Sequence, residues 1–281
     1  MLRIAVPNKG SLSEPAVAML GEAGYRRRRD PKELVLRDPA NDVEFFYLRP
    51  KDIATYVGKG QLDAGITGRD LLLDSGARAE ESLALGFGRS TFRLAAPIGT
   101  MTNVGDVAGK RIATSHTGLT RRWLDGLGVE AEVVRLDGAV ENSIGLGVAD
   151  AITDVVSTGT TLRRAGLETI GDAIQASEAI LIRRVDTSST AQLDQLHRRL
   201  QGVLIARQYV VMDYDVRVET LDHACTVTPG LEAPTISPLH KDGWVAVRAM
   251  VGRADSHRIM DELWELGARG ILVTDIHACR L

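Results

Sequence analysis

Short apolar runs alternate with amphipathic stretches almost from the first residue. Residues 2–7 make a largely apolar run of strand length. Ser11-Leu12-Ser13-Glu14 follows with the pattern of a capping box, in which Ser11 caps a helix and Glu14 returns the bond. Further strand-like runs lie at 43–49, 63–67, 83–88, 92–97, 111–115, 132–136, 150–156 and 179–184, with helical periodicity between many of them. This is the α/β rhythm of parallel sheets wrapped by helices.

The rhythm breaks twice. One strand runs into the next over 87–97 through Gly88-Arg89-Ser90, with no room for a helix. Residues 177–184 are again strand-like and lead into the polar stretch Asp186-Thr187-Ser188-Ser189. Both breaks read as chain crossings between two α/β lobes, which leaves a cleft between them, a favoured place for a ligand. A helix is then expected from Ser189 to Gln208, with Leu193, Leu196, Leu200, Val203 and Leu204 on one face, closing the first lobe. The last part reads strand 209–215, helix 218–225, strand 234–239, strand 244–251, helix 255–267 and strand 269–277. That βαββαβ order is the ferredoxin-like plan of many small sensing domains. The expected division is 1–90 plus 184–208 for the first lobe, 91–183 for the second, and 209–281 for the C-terminal domain.

Composition narrows the field. A net charge of −3 over 281 residues gives no global pull toward nucleic acid or an anionic membrane, so an anionic ligand needs a local site. The one basic run, Arg26-Arg27-Arg28-Arg29, is followed at once by Asp30-Pro31 and reads as a solvated turn. Cys225 and Cys279 lack CxxC spacing and read as reduced, half-buried side chains. The histidines do not fall at metal-ligand spacing. No segment approaches the roughly 20 apolar residues that span a bilayer, and the first ten residues lack a signal-peptide core. A cytoplasmic protein is expected.

The candidate chemistry concentrates in residues 141–162. A strand ending in Asp154 runs into the turn Thr158-Gly159-Thr160-Thr161 and then a helix start. Small residues there let backbone N–H groups approach an anion, the helix N-terminus adds partial positive charge, and three threonine hydroxyls add donors. A carboxylate just before such a loop suits the hydroxyls of a ribose 5-phosphate. An ordinary strand–turn–helix with Asp154 capping the turn remains open on these grounds alone.

Glu141, Gly147, Ala149, Ile152, Asp154, Val155, Thr158, Gly159, Thr161 and Leu162 together resemble the ATP phosphoribosyltransferase family. So do Ala5-Val6-Pro7-Asn8-Lys9-Gly10, Arg49-Pro50-Lys51-Asp52, 65–70, 136–141 and the C-terminal stretch 229–239. The resemblance covers essentially the whole chain and is strongest to the actinobacterial long form. It implies a two-lobed core like that of periplasmic binding proteins, followed by a ferredoxin-like regulatory domain. The implied reaction is attack of the adenine N1 of ATP on C1 of phosphoribosyl pyrophosphate (PRPP), with loss of pyrophosphate and Mg²⁺ carried mainly by pyrophosphate oxygens.

By matching position, the resemblance places Asp154, Val155, Thr158, Gly159, Thr160 and Thr161 on PRPP. Glu141 and Asp137 are implied at the ribose hydroxyls or Mg²⁺, with capping or surface carboxylates as the alternative. Lys9, Gly10, Arg49, Asp70 and His116 are implied on the ATP side; a buried Arg49–Asp70 pair bridging strand ends is the alternative there. Asp215, Leu231, Thr235 and Gly270 are implied to bind L-histidine as a feedback inhibitor. Homodimers and homohexamers are implied. Two positions depart from the family: Ser11 stands where many relatives carry Arg, and Ser115-His116 stands where relatives often have Tyr-Pro after Ala-Thr. A solute-binding protein, a phosphoribosyltransferase of another fold and a silent histidine sensor are the competing readings.

Overall fold

The computed structural model describes residues 1–185 and 190–280; the polar stretch Asp186–Ser189, with the expected helix start at Ser189, lies outside them. The chain divides into two compact units, Met1–Gly21 with Tyr25–Asp194, and Glu22–Gly24 with Gln195–Leu281.

The first unit holds two mixed sheets. One has six strands in the order Val35–Asp38, Val43–Leu48, Leu2–Pro7, Ala64–Gly68, Ala179–Arg184 and Ala79–Ala84. The other has five, in the order Leu167–Ser177, Ser90–Pro97, Ala151–Val156, Arg111–Thr114 and Glu132–Arg135. In the first sheet Leu2–Pro7 pairs in parallel with both Val43–Leu48 and Ala64–Gly68. In the second, Arg111–Thr114 pairs in parallel with both neighbours. Their apolar runs are buried on both faces, as parallel strands require. Ala5, Ile53, Val57 and Ile180 pack in the first lobe. Leu94, Ile112 and Ala151 fill one side of the second sheet, and Ile152, Ala113, Val140 and Leu162 the other.

The α/β, two-lobed architecture expected from the pattern is present, with local differences. The run at 83–88 is strand only at Leu83 and Ala84: Gly86 (φ 72°) and Gly88 (φ 65°) take left-handed conformations that end extended structure. The strand lies earlier, at Ala79–Ala84, where Glu80 and Glu81 pair with Arg183 and Arg69. Leu167–Ser177 escapes the pattern because its register shifts between Ile170 and Gln175 around Gly171, which breaks the alternation. Val35–Asp38 is a short, half-exposed edge strand. The first helix opens at Ser13, which moves Ser11 off the capping position; Ser13 Oγ donates to the Pro7 carbonyl at 2.9 Å. The return crossing falls at Glu178, between Leu167–Ser177 and Ala179–Arg184, so the latter strand belongs to the first sheet and the crossing precedes the expected boundary at 183.

The second unit is an antiparallel sheet in the order Thr235–Pro238, Trp244–Gly252, Tyr209–Arg217, Arg269–Asp275, with helices Leu221–Val227 and Ser256–Glu265. This is the ferredoxin-like arrangement. Val210, Met212, Tyr214 and Val216 alternate into its core with Val247, Ala249, Ile259 and Leu263, and buried Tyr214 Oη meets Thr228 Oγ1 at 2.7 Å. The long helix runs Ala191–Gln208. From Gln195 onward it groups with this unit and not with the first lobe. Gly202 lies so close to the Cys279 carbonyl that a Cβ would overlap it, and Arg207 forks onto Glu22 at 2.8 and 2.9 Å.

Within the first unit, helix Thr117–Leu127 of the second lobe is capped by the first. Asp74 Oδ1 accepts from the N–H groups of Gly118 (2.8 Å) and Leu119 (3.0 Å), and Arg122 donates to the Leu73 carbonyl. A Cβ on Gly118 would overlap the Asp74 carbonyl. In an open helix, Gly→Ala gains about 0.5–1 kcal/mol. Here Gly118→Ala is expected to cost about 1–3 kcal/mol through overpacking, read as a lower urea midpoint; a gain would show that the lobes are not packed at this point.

Candidate functional site

Parallel pairing decides where the chemistry gathers. Pro7, Leu48 and Gly68 end three strands that point the same way, so Lys9, Gly10, Arg49 and Asp70 follow at one edge of the first sheet. Thr114, Arg135 and Val156 end the parallel strands of the second sheet, which brings His116, Asp137 and residues 157–161 to its corresponding edge.

The loop after Ala151–Val156 turns at Gly159, whose φ of 70° is left-handed and precedes helix Thr160–Arg164. That helix is only five residues long, so backbone N–H groups and hydroxyls, more than a helix dipole, are what it offers an anion. Thr158 Oγ1 lies 3.1 Å from Thr160 Oγ1, and Arg163 donates to the Thr158 carbonyl at 3.4 Å. A cavity of about 260 Å³ is lined by Glu141, Asp154, Val155, Thr158, Gly159 and Thr161, with Val156, Ser157 and Leu162 completing its wall. Of the residues expected at PRPP, the structure brings these together.

Asp154 is half-buried, and its Oδ1 accepts from the Val155 N–H at 2.8 Å. Burial pushes its carboxyl above the ordinary aspartate range; the Val155 N–H and His116 oppose the rise, and the charges of Glu141 and Asp70 add to it. Asp137 stands apart from this cavity. Lys51 binds it at 3.0 Å and Arg135 at 3.4 Å, and these cations, Lys51 first, hold its carboxyl below the usual range. Lys51 Nζ also donates to the Ser115 carbonyl at 3.1 Å, tying the first lobe to the second.

On the other edge, Gly10 (φ 77°) closes the turn after the first strand, with the Ser13 N–H on its carbonyl at 3.2 Å. Lys9 and Arg49 are exposed. The alternative of a buried Arg49–Asp70 pair is overturned, because Asp70 is engaged elsewhere. Its Oδ1 accepts from Ser177 Oγ at 2.6 Å, and its Oδ2 lies 3.2 Å from His116 Nε2. That last approach is a close electrostatic contact with poor hydrogen-bond alignment, since Nε2 has no aligned acceptor. Lys51, Asp74 and Ser177 did not stand out among the candidates; only Lys51 carried a signal, in the Arg49-Pro50-Lys51-Asp52 segment.

In the C-terminal unit, Gly270 (φ 59°) lies against the Asp215 carboxylate, about 3.5 Å from where a Cβ would stand. Thr235 is on the opposite edge strand, roughly 14 Å away across three strand spacings. Leu231 is in the exposed loop before it. The sheet of one chain therefore does not gather all four residues.

A half-buried acid and a hydroxyl-rich loop share one cavity on a two-lobed α/β core, and similarity to known proteins places the chain in a family. A family described as ATP phosphoribosyltransferase matches residues 49–202, and its partner described as HisG, C-terminal domain, matches 206–278. ATP phosphoribosyltransferases of Kocuria rhizophila and Pseudarthrobacter chlorophenolicus are 65% and 63% identical, each aligned over 100% of both chains. The solved ATP phosphoribosyl transferase (HisG:HisZ) complex from Thermotoga maritima aligns with a TM-score of 0.64 at 28% identity, covering 73% of this chain and 98% of that one. The molecule is thus an enzyme of the pentosyl-transferring class. The chain belongs to the ATP phosphoribosyltransferase family of histidine biosynthesis.

Proposed function

We propose that this chain joins ATP to PRPP in the cavity lined by Asp154, Ser157, Thr158, Gly159 and Thr161. Adenine N1 attacks C1 of the ribose, the bond from C1 to the pyrophosphate oxygen breaks, and configuration inverts. The reading rests above all on one observation: a half-buried acid and a loop of threonine hydroxyls share one cavity with Glu141. In this reading Thr158, Gly159, Thr160 and Thr161 hold the 5-phosphate, and Asp154 accepts the ribose hydroxyls. Lys9, Gly10 and Arg49 meet ATP from the opposite sheet edge, with Asp70 and His116 beside them at the lobe boundary. No protein nucleophile is required. The transition state is oxocarbenium-like, and the enzyme's work is alignment and electrostatic stabilisation.

Among the described residues no three His, Cys, Asp or Glu side chains cluster to hold a metal. We therefore assign Mg²⁺ to the PRPP complex itself, where it neutralises pyrophosphate charge, with Glu141 the carboxylate best placed to meet it and Asp137 occupied by Lys51. The C-terminal unit is assigned to L-histidine feedback. Gly270 and Thr235 lie on opposite edge strands of one sheet, with Asp215 on the inner strand next to Gly270 and Leu231 in the loop before Thr235, so in this reading a pocket using all four draws on two copies. That fits a homodimer or homohexamer. No helix among the described residues is long and apolar enough to cross a membrane, and we place the enzyme in the cytoplasm.

Product formation from ATP, PRPP and Mg²⁺, followed by near-ultraviolet absorbance, is expected to be suppressed by L-histidine in the parent and to persist under L-histidine in Asp215→Ala. Full inhibition in that variant removes Asp215 from the effector site. Asp154→Ala is expected to lower kcat/KM for PRPP roughly 10- to 150-fold, since a hydrogen bond to a charged group contributes about 1.5–3 kcal/mol, and Thr161→Ala about 2- to 10-fold. Unchanged PRPP kinetics in both would sink the loop assignment.

The pH dependence has a definite sign. Only the ionised Asp154 accepts hydroxyls without donating, and its folded pKa stands above the ordinary aspartate value of about 3.9. PRPP affinity therefore falls as pH drops, and the fall begins at a higher pH than an ordinary aspartate would allow. Calorimetric titration of PRPP·Mg²⁺ should show this limb in the parent and lose it in Asp154→Asn, whose comparison cancels the ligand's own titration. Identical limbs in the two proteins would take Asp154 off the ribose.

A further inference from the structure

The basic run Arg26-Arg27-Arg28-Arg29 does not stand free as a solvated turn. After helix Ser13–Glu22 the chain doubles back, and residues 27–31 lie along that helix. Between them is a cavity of about 280 Å³, lined by Ser13, Glu14 and Val17 on the helix side and by Arg27, Arg28 and Arg29 on the other. Arg26 is not part of it: its N–H donates to Asp38 Oδ2 at 2.9 Å and its guanidinium to the Arg37 carbonyl at 3.3 Å. Arg28 is half-buried. Its guanidinium stacks 4.1 Å from the centre of the Tyr47 ring and donates to the Glu33 carbonyl at 3.4 Å. Arg27 lies so close over Gly21 that a Cβ there would overlap its Nε. A glycine near the end of the helix makes room for it, at a cost in helix propensity.

Three cations face one carboxylate, Glu14, in this lining. Among the described residues none of the three arginines pairs with an acid. Asp30, next in the chain, is spent on its own turn, where its Oδ1 accepts from the Lys32 N–H at 2.8 Å. Glu33 also bears on this corner: its charge opposes that of Arg28 at the Tyr47 hydroxyl. Guanidinium groups held around one cavity repel one another, and their planar forks of donors match phosphate oxygens. The cavity adjoins the edge of the first sheet. Ser13 is bound to the loop that carries Lys9, its N–H donating to the Gly10 carbonyl at 3.2 Å and its Oγ to the Pro7 carbonyl at 2.9 Å. Tyr47, under Arg28, stands two residues before Arg49 on the neighbouring strand. Size limits what fits. Whole small-molecule sites start at roughly 300 Å³, so about 280 Å³ takes one end of a nucleotide and not all of it.

We propose that Arg27, Arg28 and Arg29 form a subsite for the terminal phosphates of ATP, extending the nucleotide edge of the first lobe beyond Lys9 and Arg49. This rests on ATP meeting the enzyme at that edge. For N1 to attack C1 of PRPP, the adenine points to the second lobe, and the triphosphate end of the nucleotide is left over the first. That end carries the negative charge, and the cavity beside Lys9 carries the unpaired positive charge. Arg28 is held by Tyr47 and the Glu33 carbonyl, and Arg27 by its seat on Gly21, so little side-chain freedom is left to lose on binding.

The test is calorimetric titration of the full-length enzyme with ATP·Mg²⁺, AMP and PRPP·Mg²⁺, in the parent, Arg28→Gln and Gly21→Ala. Arg28→Gln is expected to weaken ATP about tenfold or more, since a charged hydrogen bond to phosphate is lost, and to leave AMP and PRPP within about twofold of the parent. Gly21→Ala removes no donor. Its Cβ displaces Arg27 while alanine favours the helix. That variant is expected to weaken ATP about threefold with a melting temperature no lower than the parent's, a combination that a merely structural arginine does not give. Should Arg28→Gln fail to fold, exposed Arg29→Gln takes its place. Equal losses for ATP and AMP overturn the subsite, because the arginines then act on the adenosine end or on the fold. A loss for PRPP with ATP unchanged overturns it as well, by putting the pyrophosphate of PRPP in the cavity. If the parent joins ATP to PRPP and both variants bind ATP as the parent does, the subsite alone fails; if the parent neither binds nor consumes ATP, the proposed reaction falls and the subsite with it.

Discussion

Parallel pairing is the constraint from which the site follows. In each lobe three strands run the same way, so their carboxyl ends reach one edge and the loops that follow them are neighbours without any design in the loops themselves. Lys9, Arg49 and Asp70 are distant in sequence and reach one sheet edge for this reason, and His116, Asp137 and the loop after Asp154 reach the corresponding edge of the other sheet. Burial of both sheet faces holds the strands in register, and register sets which side chains stand next to Asp154. The contacts between the lobes then add specificity: Lys51 reaches the Ser115 carbonyl, Asp74 caps the opposing helix, and Asp70 meets His116.

Much of this was legible in the sequence, and the part that was not has physical reasons. Strands built from continuous apolar residues, such as Leu2–Pro7 and Ala151–Val156, announced themselves. Leu167–Ser177 did not, because a register shift around Gly171 erases its alternation, and the apolar run at 83–88 misled because left-handed glycines interrupt it. The candidate loop at 157–161 stood out because acid and hydroxyls lie within one continuous segment, and the structure sets Asp154, Thr158 and Thr161 around one cavity. The bond between Asp70 and Ser177 spans 107 positions, and no local pattern encodes such a contact. Asp74 was invisible for the same reason: it caps a helix to which it does not belong.

The two units also answer to different demands. Helix Thr160–Arg164 and the turn at Gly159 are short and polar, suited to closing on an anion. The antiparallel sheet of the second unit instead leaves both edge strands largely exposed, with Ile236 at one edge and Leu272 and Val273 at the other. Exposed edges are liabilities unless something pairs with or covers them.

The strand Ala179–Arg184 carries a consequence for how the molecule is made. It lies between Ala64–Gly68 and Ala79–Ala84 in the first sheet, and it is the only strand of that sheet that Ala79–Ala84 touches. During synthesis the first lobe therefore emerges with one edge of Ala64–Gly68 unpaired and Ala79–Ala84 not yet joined to the sheet, until the strand that follows the second lobe has left the ribosome. The insertion is a timer: the N-terminal third waits with an open strand edge until its missing member arrives. Conditions that slow translation through the second lobe prolong the interval in which that edge is free to take a wrong partner.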